Sequence, residues 1–191
     1  MWKACRFNIL FMHTYSHAIF TWAAARYVKR EESHAAVWGA AGAALPDLPT
    51  LAKAARLFWH RGNSLTKEEF LESLEYFKEP SGKVDLTLHS LVPVGVLLAM
   101  YKALGLKKKD PKRALLAFLL GWTGHNLLDF PMHADDARPL FWPFLRWRWK
   151  SPISYWDREC YALPCMLVEH GIVLALVLAF LHQSYRDTSP S

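Results

Sequence analysis

The stretch GWTGHNLLDFPMHADD carries the residues best placed to do chemistry. His125 and Asp129 stand four apart, so on a helix they project from one face about a turn from each other and form half of a metal site in advance. Pro131 is expected to end or kink that helix near Phe130, leaving His133, Asp135 and Asp136 on an irregular segment at the mouth of such a site. Upstream, WGAAGAALPDLP gives a small-residue helix that stops at Pro46, with Asp47 fixed between two prolines. His89 in LTLHSL begins a further apolar helix, and His17, Glu169 and His170 also fall inside apolar runs. Each has an ordinary reading when taken singly: a histidine bonded to a neighbouring carboxylate, an aspartate at a turn, a satisfied core imidazole. Jointly they pose a charge problem. Few Lys or Arg adjoin them in sequence, and a buried carboxylate costs on the order of several kcal/mol unless a cation or a full set of hydrogen bonds compensates. A divalent metal would compensate, and zinc, manganese and iron all suit imidazole with carboxylate.

The elements that must position these residues read as helices. Apolar runs cover about residues 7–28, 35–58, 86–106, 114–130 and 163–182, each long enough for a buried helix, and no strand-like alternation stands out. The third and fifth approach the ~20 apolar residues needed to cross a bilayer. Basic residues occur in every connection, at 26–30, 53–61, 107–113 and 138–150, a flat distribution that weakens a multi-spanning reading. SLTKEEFLESLEYFKEP reads as a polar-faced helix capped by Ser64 and ended by Pro80, with a solvated face and no chemistry. The expected fold class is all-α: a single multi-helix bundle, one domain over residues 1–191, with the metal site between helices.

The 191 residues are 52% hydrophobic and carry a net charge of +6, which suits a phosphate-bearing substrate, a lipid surface or nucleic acid. Cys5, Cys160 and Cys165 lack paired CxxC spacing, which argues against a disulfide framework or a thiolate zinc site and for a reducing interior. Lys3, Arg6, an apolar stretch and Ala23 to Ala25 resemble a signal peptide, but His13, Thr14, Tyr15, Ser16 and His17 interrupt its apolar core, so a retained helix is expected. In FWPFLRWRWKSPISYW, Trp142, Trp147, Trp149 and Trp156 interleave with Arg146, Arg148 and Lys150, as in segments that seat at lipid headgroups. Stacking on single-stranded nucleic acid is the second reading. The flanking apolar helices favour the membrane surface, and nucleic acid is not the expected partner.

An ordered set of motifs carries a family resemblance: Ser16-His17, GAALPDL around Asp47, HRG at His60 to Gly62, LHSL around His89, GHNLLD from Gly124 to Asp129, and PLFWPF at residues 139–144. Over about residues 12–145 this order resembles the bacterial membrane-bound metal-dependent hydrolases. More remotely it is similar to zinc-dependent phospholipase C and the single-strand-specific zinc nucleases. The resemblance implies that Asp47, His89, His125 and Asp129 hold one metal ion, and that His17 with a bridging Asp129 forms part of a second site. The later HxxxE pair of the remote enzymes is missing, so one or two ions are implied, with zinc the expected metal. His13, His60, His133 and Glu169 are further candidates. The implied reaction is metal-assisted hydrolysis of a phosphoester, phospholipid-like or other, with Asp47 orienting the water, Asp129 bridging metals, and Arg138 or Arg61 neutralising phosphate.

A second class stays open: a noncatalytic membrane-associated scaffold whose structural metal or buried polar network holds helices together. Either protein is expected at the inner membrane or attached to it, with the cytoplasmic side one option.

Overall fold

The computed structural model of the protein describes residues 14–28, 33–64, 69, 80–155 and 158–188. The helices are α1 (Thr14–Val28), α2 (Ser33–Ala44), α3 (Leu48–Arg61), α4 (Pro80–Leu88), α5 (Leu91–Ala103), α6 (Ala114–Asp129) and α7 (Ala162–Thr188). No strand occurs among the described residues, and the fold is all-α as the sequence implies. His13 and Trp156 lie outside the described residues, as does all of the expected polar-faced helix but Ser64, Glu69 and Pro80. The Ser64 hydroxyl donates to the Arg61 carbonyl at 2.6 Å.

Prolines set the helix boundaries that shape the site. The apolar run expected over 35–58 is two helices, because Pro46 and Pro49 interrupt it with a short 3-10 turn, Leu45–Asp47, between α2 and α3. The 86–106 run is likewise broken. Its halves α4 and α5 bend by 54° at His89 and Ser90. Ser90 caps α5 by accepting from the Val92 N–H at 3.1 Å. Asn126 of α6 spans the break, its amide donating to the carbonyls of Leu88 and Ser90 at 3.1 and 3.0 Å. As expected, α6 stops at Asp129, two residues before Pro131.

Glycine brings α2 and α6 together. A Cβ on Gly42 would collide with the Phe118 carbonyl, and one on Gly121 with the carbonyl of Gly39. The two backbones therefore touch, as at the small-residue interfaces of membrane helices. On its other side α6 packs against α5 through Val94, Tyr101, Leu119 and Trp122. Helix α7 runs parallel to α1: Tyr15 Oη meets His170 Nε2 at 2.7 Å, and the Trp22 and Phe180 rings meet edge-on at 4.7 Å. It is long and apolar enough to cross a membrane, with only 6% of its most apolar window buried. The bent α4 and α5 pair passes the same measure when counted as one span.

Candidate metal centre

The chain brings helix ends together at one place. Asp47 arrives at the end of α2, His89 at the break before α5, and His125 and Asp129 in the last turns of α6. One ligand atom from each lies within 4.8 Å of the others. Asp47 makes no capping hydrogen bond to α3, so the ordinary turn-capping role is not what holds it there. Its Oδ2 accepts from the Thr14 hydroxyl at 2.8 Å, which leaves Oδ1 turned to the two imidazoles.

The imidazoles are oriented from behind. His125 Nδ1 lies 2.7 Å from the Ala43 carbonyl, and His89 Nδ1 lies 3.0 Å from the Asp85 carbonyl. A carbonyl only accepts, so in both rings Nδ1 carries the proton and the Nε2 lone pair faces the cluster, as at metal sites. Both Nε2 atoms are buried without a hydrogen-bond partner. They stand 3.5 Å (His89) and 3.7 Å (His125) from Asp47 Oδ1, and 3.8 and 3.2 Å from Asp129 Oδ2. Bonds of ~2.0 to 2.1 Å in a tetrahedral shell separate neighbouring ligand atoms by roughly 3.3 Å. Two ring nitrogens and two carboxylate oxygens, 3.2 to 3.8 Å apart nitrogen to oxygen and all within 4.8 Å of one another, could close on a divalent cation.

Asp129 looks two ways. Its Oδ1 is 2.9 Å from His17 Nε2, and its Oδ2 is 3.2 Å from His133 Nε2. His17 is buried against His125, ring centroids 4.1 Å apart, and its Nδ1 has no hydrogen-bond partner. His133 is held from behind: Nδ1 donates to Asp136 Oδ2 at 2.6 Å, and the Tyr155 ring meets its edge at 5.8 Å. Burial, together with the Asp129 and Glu169 carboxylates, pushes the Tyr155 phenol up. Glu169 is buried in α7. His170, its neighbour in sequence, meets Tyr15 Oη through Nε2.

The structure gathers His17, Asp47, His89, His125, Asp129 and His133, and it separates others. His60 is exposed in the last turn of α3, and Arg61 there pairs with Glu69 at 3.1 Å. Arg138 stands in the site wall, its Nε donating to Asp85 Oδ2 at 2.7 Å while Thr50 donates to Oδ1 at 2.5 Å. Sequence reasoning missed Asp85, Thr14 and Asn126. Asp85 had a signal, because it precedes His89 by four residues and so shares its helix face. A cleft of about 20 Å³ opens on His89, Asn126, Asp129, His133, Arg138 and Trp149. That is room for about one water.

The His133 and Asp136 pair is expected to make the chelated protein sensitive to alkali. Burial works to lower the His133 pKa, but Asp136 and Asp129 outweigh it and raise it from 6.5 to about 10. A raised folded-state value stabilises fully below about 6.5, and the contribution is lost as pH climbs through about 10. The melting temperature of the chelated protein is expected to fall across that window, and to fall less steeply in Asp136→Asn. Equal slopes in the two proteins would dismiss the pair as the cause.

The chain matches the family described as YdjM inner membrane protein over residues 12–186, which takes in every ligand of the centre, the 141–150 loop and nearly all of α7. No curated protein and no solved structure matches it. The description names a membrane and no reaction. It agrees with the apolar, outward-facing α7, and a match this long shows that the chain belongs to the YdjM inner membrane protein family.

Proposed function

We propose that the protein is a metal-dependent hydrolase that cleaves a phosphoester, with zinc the expected ion and one or two ions bound. One observation carries the reading: the buried, unpartnered Nε2 atoms of His89 and His125, fixed by carbonyls behind them, face Asp47 and Asp129 beside a cleft that admits a water-sized molecule. Asp47, His89, His125 and Asp129 would hold the ion, and His17 with Asp129 part of a second site. A zinc ion held there would lower the pKa of a water to about 7 and would polarise the electrophilic oxygen.

The chain's own groups do the rest. Asp47, braced by Thr14, orients the attacking water. His133 lines the cleft and its Nδ1 is held by Asp136, which suits the ring to pass a proton to the leaving alcohol. Arg138 brings positive charge to the same wall. In balance, water adds its oxygen to phosphorus, the phosphorus–oxygen bond to the leaving alcohol breaks, and a proton from the water ends on that alcohol.

The test is the full chain in detergent, loaded with zinc or manganese and assayed on a panel of phosphodiesters and phosphomonoesters with and without chelator. Turnover that follows bound metal and stops on chelation is the expected result. Stoichiometric metal with no turnover on any ester would replace this reading with the noncatalytic one, in which the ion clasps helices.

A further inference from the structure

The loop over residues 141–150 is rooted on the metal centre at both ends. The hydroxyl of Ser90, next to His89, reaches the carbonyls of Leu140 and Trp142 at 3.0 and 2.7 Å, and the Leu91 N–H donates to Leu140 at 2.9 Å. At the far end the Ser151 N–H donates to the carbonyl of His133 at 2.9 Å, and its hydroxyl to that of Pro131 at 2.6 Å. Between these anchors every residue from 143 to 150 is exposed. Phe144 is 79% exposed, Trp147 56% and Leu145 54%, and Arg146, Arg148 and Lys150 alternate with them. Trp149 belongs to the same loop and also lines the cleft. Bare aromatic tips interleaved with cations match the headgroup layer of an anionic bilayer in both polarity and charge.

Depth agrees. Because α7 runs beside α1 in the same direction, the Tyr15 and His170 contact sets the metal centre level with the early turns of α7. Counting about 20 residues back from Arg186 puts the hydrocarbon boundary near Leu167, within about one helical turn of His170. A centre at that level stands close to the headgroup layer of one leaflet, where lipid phosphates lie.

We propose that the 141–150 loop docks on anionic glycerophospholipid and presents its phosphate to the centre, so that the substrate is a membrane lipid and not a free phosphoester. The substrate part rests on the hydrolase reading; the docking part does not. The first arm measures retention of phosphatidylglycerol against phosphatidylcholine, offered in equal amounts to the detergent-purified full chain, by native mass spectrometry. Preferential retention of phosphatidylglycerol is expected. One headgroup cation contributes about 1 kcal/mol, so Phe144→Ser with Arg146→Gln should lower that retention at least about fivefold. Equal retention of the two lipids, or a variant that matches wild type, overturns the docking.

The second arm compares kcat/KM of the metal-loaded protein on phosphatidylglycerol in mixed micelles with that on glycerophosphoglycerol, which has the same phosphate and no acyl chains. The lipid should be cleaved faster, and the loop variant should bring the ratio of the two rates toward one. Equal rates in wild type overturn the lipid assignment and leave the hydrolase intact. No turnover on either, with phosphatidylglycerol still preferentially retained, overturns the lipid substrate and leaves the docking intact, and the hydrolase reading falls with it only when the whole ester panel is inert as well.

Discussion

Asp129→Asn is expected to lower metal affinity by at least ~10- to 100-fold, the usual cost of altering even the groups behind a metal ligand. The substitution keeps the shape and removes the charge that four ring nitrogens face, those of His17, His89, His125 and His133. Asp129 Oδ2 lies 3.2 and 3.8 Å from the Nε2 atoms of His125 and His89, and Oδ1 lies 2.9 Å from His17. The amide offers one oxygen where the carboxylate offers two, so a ligand that serves both sides of the cluster becomes one that serves a single side. Metal per chain, measured after dialysis against a range of free zinc, reads the effect. Asp187→Asn, at the exposed far end of α7, is the control and should retain the wild-type value. If Asp129 only braces His125 in a metal-free core, the variant loses stability while its metal content equals that of the wild type, and the assignment falls.

The second large effect is expected from Gly121→Ala, a substitution that touches no ligand. Its new methyl group would occupy the place of the Gly39 carbonyl, so α2 and α6 must separate. Overpacking ordinarily costs ~1 to 3 kcal/mol and can exceed that range where backbone is the obstacle. The separation also matters for the centre, since Asp47 follows α2 while His125 and Asp129 belong to α6, and the Ala43 carbonyl that orients His125 is itself in α2. Both the unfolding midpoint in detergent and metal affinity should therefore drop together. Gly124→Ala, three residues along the same helix, has open space at its Cβ and should be neutral or stabilising by up to ~1 kcal/mol. A Gly121→Ala protein that melts and binds metal like the wild type would show that the helices do not touch there.

Parts of this arrangement were legible in the residues alone. The four-residue spacing placed His125 and Asp129 on one helix face, and prolines on both sides of Asp47 announced a fixed helix end. What remained hidden depends on contacts between distant segments. Nothing local shows that Thr14 takes one oxygen of Asp47, that Ala43 sets the His125 ring, or that Arg138 answers the charge of Asp85 from 53 residues away. Asp85 has Lys83 two residues away, yet the cation that pairs with it is Arg138, which arrives through space. The apolar run at 86–106 concealed its break for a related reason: the bend at Ser90 is held by Asn126 and by the 140–142 carbonyls, none of which a window around Ser90 contains.

Seen as a polymer, the chain carries the four residues that could hold an ion on three segments far apart along the backbone. About forty residues separate Asp47 from His89, and nearly as many separate His89 from His125, so an ion shared by all three is a crosslink that closes two long loops at once. Closing long loops removes more conformational freedom from the unfolded chain than closing short ones, which gives such an ion leverage on stability well beyond the few atoms it touches. The first of those loops includes α3 and α4, which join the rest through few helix-to-helix contacts of their own. Their order in the folded protein is thus tied to the clasp at Asp47 and His89, and metal loss would be felt there first, as faster amide exchange in α3 and α4 than in the glycine-sealed pair α2 and α6.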